Sequence, residues 1–176
     1  MEAPPRLAPH VAFPAYAFVP GQTPHPFSHP AGHHHAPFGE VLAAPDPESW
    51  RECLPYLHAL DLFNHGFYWE AHEVWEGLWH ACGRRGPTAD FLKGLIHLAA
   101  AGVKVRQGLE AGVISHAQKA ARAFARCAEA LAATKHMGLN FDRLQAHAQS
   151  LSKQAPAFLC ENTPPRLPLL LWPNDG

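Results

Sequence analysis

Apolar residues recur at helical spacing over most of the chain beyond residue 50. Trp50, Leu54, Leu57, Leu60 and Asn64 lie near one another on one helical surface, as residues three or four apart do. Asp46 followed by Pro47 reads as an N-cap with proline at the first helical position. Pro55 kinks or restarts this first helix, and Gly66 stops it. A second helix is predicted over residues 67–82, with Gly83, Gly86 and Pro87 marking the turn after it. The third is predicted over residues 88–107, with Thr88 as N-cap and Gly108 as stop. It carries two apolar stripes, Phe91, Leu95, Leu98, Gly102 and Leu92, Ile96, Ala99, Val103, and so is largely buried. Its small residues, Gly94, Ala99, Ala100, Ala101 and Gly102, leave room for a neighbouring backbone, a contact that must offset the helix propensity lost at the glycines. The fourth helix, residues 112–133, turns Val113, Ala117, Ala120, Phe124, Ala128 and Leu131 inward. The fifth starts at Asn140 as N-cap and carries Phe141, Leu144, Ala148 and Leu151. No segment alternates apolar and polar residues with β-branched enrichment, so no sheet is expected. GxGxxG, P-loop and GxSxG motifs are absent. The predicted fold is an all-α bundle of about five helices joined by short turns.

The bundle, residues 46–155, is flanked by two segments of different character. Residues 1–45 form a Pro- and His-rich extension: eleven of the 18 prolines and six of the 14 histidines precede Glu48. That proline density forbids helix interiors and sheet centres. Phe13, Tyr16, Phe18 and Phe27 are too aromatic for a plain linker. The extension is therefore either disordered or an extended strap, at least part of which docks. His25, His29, His33, His34 and His35 are either a solvated tail or a metal-binding tract. The C-terminal tail, residues 156–176, contains an apolar run from Leu167 to Trp172. It is expected to pack back on the body, or else to serve as a partner-binding strand or dimer contact.

A length of 176 residues suits one domain. A net charge of −1 gives no overall attraction to nucleic acid. The stripe of Lys119, Arg122 and Arg126 lacks interleaved aromatics and reads as a solvated face. No run of about 18 apolar residues exists to span a membrane. The N-terminus has no basic segment leading into an apolar run, so no secretion signal is read there. Cys53, Cys82, Cys127 and Cys160 form no CxxC pair, which fits reduced thiols in a cytoplasmic protein. Charge is divided along the chain, −7 over residues 1–83 and +6 over residues 84–176, as if the halves paired with each other.

The chemistry concentrates on the second helix. Ala71, Val74, Trp75 and Leu78 form its apolar face; Trp69, His72, Glu73, Glu76, Trp79 and His80 occupy another. His72, Glu76 and His80 are spaced i, i+4, i+8 and stack along one line, with Glu73 beside them. No Lys or Arg occurs on this helix before Arg84, unlike an ordinary solvated face. On the third helix Lys93, His97 and Lys104 form the polar line. If the two helices form an antiparallel hairpin, His97 falls between Glu73 and Glu76 in height, and His72, Glu73, Glu76 and His97 converge. Imidazole and carboxylate ligands suit a divalent ion, Zn, Mn or Fe. In that reading His72, Glu76 and His97 are ligands and Glu73 is the general base. Trp69, Glu70, Trp79, His80 and Lys93 support the pocket. Alternatively the same residues form a buried hydrogen-bonded network fixing which helix faces meet, or line a site for a small organic ligand. An unidentified small molecule or protein is the expected partner, with self-association open. His58, His65, His116, His136 and His147 are expected at the surface or at helix caps.

Leu62-Phe63-Asn64-His65-Gly66-Phe67-Tyr68-Trp69-Glu70-Ala71-His72-Glu73-Val74-Trp75-Glu76, followed by Trp79, resembles the first signature of the DUF309 family. Phe91-Leu92-Lys93-Gly94-Leu95-Ile96-His97-Leu98-Ala99-Ala100-Ala101, with Lys104 and Gly108, resembles the second. The resemblance covers about residues 50–135 by this pair of motifs. Phe18-Val19-Pro20-Gly21, Pro24-His25-Pro26 and Gly32-His33 resemble an extension found in some bacterial members. The resemblance implies a small all-α bundle. Some members are labelled predicted metal-dependent hydrolases, so it also implies an expectation of metal-dependent hydrolysis.

Overall fold

A computed structural model describes residues 4–39, 41–159, 167 and 170–173. Six helices dominate it: α1 Leu54–Asn64, α2 Tyr68–Ala81, α3 Pro87–Gln107, α4 Glu110–Leu131, α5 Phe141–Lys153 and a short α6 Ala155–Leu159. Each of the first four packs on the next, and α6 packs on α3 and α4; the short connections make neighbours among the first five antiparallel. The all-α bundle is therefore the observed architecture. One departure is a two-residue antiparallel pair, β1 Lys135–His136 and β2 Leu139–Asn140, between α4 and α5. It is too short for any alternation of side chains to announce it. Met137 and Gly138, both at positive φ, make its turn, and the buried Tyr56 hydroxyl donates to the Met137 carbonyl at 2.9 Å.

Helix boundaries follow local chemistry. Asp46 does not open an α-helix. Its carboxylate instead accepts from the Glu48 N–H and the Ser49 hydroxyl, a turn that leads into a single 3₁₀ turn at Trp50–Glu52. The α-helix begins after Cys53 with Pro55 in its first turn, where a missing N–H costs nothing. Gly86, not Thr88, caps α3; the Thr88 hydroxyl pairs with His136 Nε2 at 3.2 Å. Gly108 ends α3 in the left-handed conformation, and Asn140 caps α5 by accepting from Arg143 N–H.

The core runs along the α1–α2–α3–α4 seams around Tyr56, Phe63, Trp75, Phe91, Phe124 and Phe141, all fully buried. Two α3 glycines permit this closeness. A Cβ on Gly94 would lie 2.4 Å from the Phe124 ring, and one on Gly102 2.6 Å from the Tyr68 ring. Gly94→Ala should therefore lose roughly 1–3 kcal/mol by overpacking, despite a gain of about 1 kcal/mol in helix propensity. Urea unfolding measures this, and a more stable variant would show that the ring can yield.

The described tail residues pack back on α1 and α2. Leu167 and Leu171 are buried. Tyr68 Oη accepts from Leu167 N–H at 2.8 Å. The buried Asn64 amide bonds both backbone groups of Leu171, at 3.0 and 2.8 Å. Residues 168 and 169 of the predicted apolar run, and Cys160, lie outside the described residues. Cys53, Cys82 and Cys127 are free thiols.

Candidate functional site

The buried stripe of α2 is Tyr68, Ala71, Trp75 and Leu78. This commits the remaining sides of the helix to polar chemistry, and they divide between two places. On one side, a ligand atom from each of His72, Glu73 and Glu76 lies within 4.8 Å of the other two. His72 Nδ1 is 3.3 Å from Glu73 Oε1. His72 and Glu76 are partly buried and Glu73 is exposed. Ligand bonds of about 2.1 Å allow two ligand atoms on one ion to be about 4.2 Å apart at most. One nitrogen and two carboxylates at this spacing thus fit a divalent cation after small side-chain rotations.

His97 lies outside that group. It is half-buried on α3 with its Nδ1 3.4 Å from Nδ1 of His116 on α4, so one of the two nitrogens must carry the proton and the other not. Burial pushes His97 down to about 4, helped by the His116, Lys93, Lys119 and His72 charges. Burial lowers His116 as well, with Lys119, Lys104 and His72 adding to it. The His72 field thus reaches both imidazoles. Helix spacing counted from the turn sets Glu73 and Glu76 opposite the polar line of α3, but that line finds other contacts. Lys93 Nζ stands 4.2 Å from the centre of the Trp79 ring, Lys104 Nζ donates to Gln107 at 2.8 Å, and His97 faces His116. His80 is exposed, its ring 5.1 Å from that of Trp79.

The second place centres on Glu70, only 5% exposed. Its Oε1 accepts from Phe18 N–H at 2.8 Å and lies 3.2 Å from His33 Nε2. His33 Nδ1 accepts from the His35 N–H at 3.0 Å, which leaves the ring proton on Nε2 to donate to Glu70. Burial pushes Glu70 up to about 7, against the Phe18 N–H and the Arg106 charge, which pull it down. Burial lowers His33, and so do His35 and His34. Both shifts favour uncharged partners, so this contact is a hydrogen bond more than an ion pair.

Residues 4–39 cover this side of α2 as a strap. Its N-terminal end is fixed at the fully buried Asp61 of α1, which accepts from Leu7 N–H at 2.7 Å and Ala8 N–H at 2.8 Å. Arg6 Nε lies 3.5 Å from the same carboxylate, and the guanidinium also donates to the carbonyls of Ala8 and Val11 and sits over the Phe13 ring. Phe13 stacks on Phe67, and Phe18 meets Trp69 edge-on. Gln107 and Gln22 exchange bonds with Pro20 and Arg106 carbonyls, tying the strap to the end of α3. Within the strap, His25 and His29 accept backbone N–H groups through Nδ1 and so serve as turn caps.

His58, expected at the surface or in a cap, is 0% exposed. It is surrounded by Phe13, His35 and Phe38, and among the described residues neither of its ring nitrogens has a hydrogen-bond partner. Burial pushes it down to about 4, with His35 and Arg6 contributing. His35 Nε2 and Glu70 Oε2 are buried and equally unpartnered. All three residues line one cavity of about 150 Å³, with Trp69 and Glu73 in its wall. A signal for His58 and Asp61 did exist: in the α1 sequence LPYLHALDLFN they are the charged or titrating groups inside an otherwise apolar helix, and such a helix is buried all round.

Residues 56–115 match the family model described as Domain of unknown function (DUF309). The chain carries a DUF309 domain. No curated protein and no solved structure matches it. The DUF309 match runs from the first turn of α1 into α4, and so takes in Asp61, Glu70, His72, Glu73, Glu76 and His97. The strap lies outside the DUF309 match, although both of its carboxylate anchors lie inside. No described helix is long and apolar enough to cross a membrane, and Lys119, Arg122 and Arg126 are exposed.

Proposed function

We propose that this DUF309 chain binds a divalent cation on α2 and uses it in hydrolysis. The observation that supports this is the approach of His72, Glu73 and Glu76 to within 4.8 Å on a solvent-reached face. His72 and Glu76, one helical turn apart, hold the ion, and His97 on α3 is the third candidate ligand. Bound there, the cation supplies Lewis acidity toward a carbonyl or phosphoryl oxygen. Glu73, the most exposed of the three, accepts the proton of the attacking water. Trp69, Trp79 and Lys93 wall the approach, and the cation of Lys93 over the Trp79 indole places positive charge where an anionic substrate would sit.

Calorimetric titration of the full chain with Zn²⁺ and Mn²⁺ tests the reading. One of the two should bind at one equivalent, and His72→Ala or Glu76→Gln should weaken it at least tenfold. His97→Ala should weaken it less. Affinity unchanged in both α2 variants would overturn the site. On a substrate that the wild type hydrolyses, Glu73→Gln should lower kcat by 10²-fold or more while the ion stays bound.

A further inference from the structure

We propose that the cavity beneath the strap is a binding site for a small primary ammonium. Three residues of its wall carry buried polar atoms with no partner among the described residues: Glu70 Oε2, which accepts when the carboxyl is ionised, His35 Nε2 and the ring nitrogens of His58, one of which accepts in the neutral ring. His58 is fully buried, and an unpaired buried polar group costs roughly 1–3 kcal/mol. Three such groups on the wall of one cavity suit a ligand with several N–H donors, reached as these side chains turn toward it. An ammonium has three.

The rest of the wall selects charge and size. Phe27, Phe38 and Trp69 give it aromatic faces, Glu70 and Glu73 give it carboxyls, and among the described residues no Lys or Arg lines it. Aromatic faces with carboxylates attract cations and offer nothing to an anion. Two guanidinium charges reach its residues from outside, Arg106 at Glu70 and Arg6 at His58, and Arg6 is directed to Asp61. A metal ion suits this wall less well: among the described residues, the three-residue group whose ligand atoms approach within 4.8 Å is elsewhere, at His72, Glu73 and Glu76. A cavity of about 150 Å³ matches the size known to hold a six-carbon ring, so the ligand has about six non-hydrogen atoms at most. Phe27, 49% exposed, meets solvent together with Ala36, Pro37, Gly39 and Glu73 of the same wall, and this edge is the entrance.

The site is separate from the proposed cation centre, although Glu73 borders both. Calorimetry and thermal shift on the full chain, at constant ionic strength, compare propylammonium with propanol, propionate and Zn²⁺. Propylammonium should bind and raise the Tm, and propanol and propionate should not. His58→Phe, which keeps a ring but removes both nitrogens, should raise the propylammonium Kd at least tenfold. Phe27→Ala, at a half-exposed position that does not threaten folding, should raise it several-fold. His72→Ala should leave it unchanged, which separates this site from the metal centre. No propylammonium binding, equal binding of propanol, or a Kd indifferent to both Phe27→Ala and His58→Phe would overturn the proposal. So would a site that answers only to Zn²⁺.

Discussion

Asp61→Ala should destabilise the protein by about 3–5 kcal/mol, the range for breaking a buried charge network from one side. The substitution strands the Leu7 and Ala8 N–H groups and leaves Arg6 beside an empty space. Denaturant unfolding measures the loss. Limited proteolysis separates its two components: cleavage within residues 6–18 should precede global unfolding, since the strap loses its anchor while the bundle keeps its core. Asp61→Asn should recover part of the stability, because one amide oxygen can still accept. A variant within about 0.5 kcal/mol of the wild type, with the strap still protected, would contradict the assigned anchor.

The second large effect is on pH dependence. His58 and His97 are held at about 4 against an ordinary 6.5. Unfolded, both take up a proton below 6.5; folded, they resist until about 4. The stability they contribute is complete above 6.5 and is lost as pH falls toward 4. Glu70 acts the other way. Its folded value of about 7, against 4.5 unfolded, means that its contribution is complete below 4.5 and is lost as pH rises through 7. Between 4.5 and 6.5 two imidazoles oppose one carboxyl, so unfolding takes up a net proton. Stability should therefore rise with pH across that window by about 2 kcal/mol, at 1.36 kcal/mol per unit less a discount for the partly exposed His97. His33, His35, His116, His136 and His147 are shifted in the same direction and steepen the rise. The optimum falls near pH 6.5, and Glu70→Gln should steepen the slope below it and remove the decline above it. Urea midpoints from pH 4.5 to 8 read both effects. A flat profile would show that these side chains are solvated.

Much of the bundle was legible because its signals are local. Pro55 and Gly108 mark helix ends by backbone geometry alone, Asn140 marks an N-cap by hydrogen bonding, and the two stripes of α3 announce burial. The small residues of α3 suggest from sequence that a neighbouring backbone comes close, whereas at Gly94 and Gly102 it is the Phe124 and Tyr68 rings that do. What the sequence hid are contacts made at long range. From sequence Glu70 reads as a support of the α2 pocket; its burial comes from Phe18 and His33, 52 and 37 residues away in sequence. His58 looked like a surface histidine because the wall that buries it comes from the strap. His97 was set beside the α2 carboxylates by counting from the turn. Helix rotation, which such a count does not fix, instead turns it to His116.

The claim on which most depends is that α2 itself, rather than the histidine-rich strap, holds a divalent cation. Untagged full-length protein, dialysed after exposure to Zn²⁺ or Mn²⁺, can be analysed for metal alongside His72→Ala and a His29→Ala/His34→Ala double variant, both strap histidines being exposed. The account predicts about one equivalent in the wild type and the strap variant, and well under one in His72→Ala. Metal retained by His72→Ala and lost from the strap variant would contradict it.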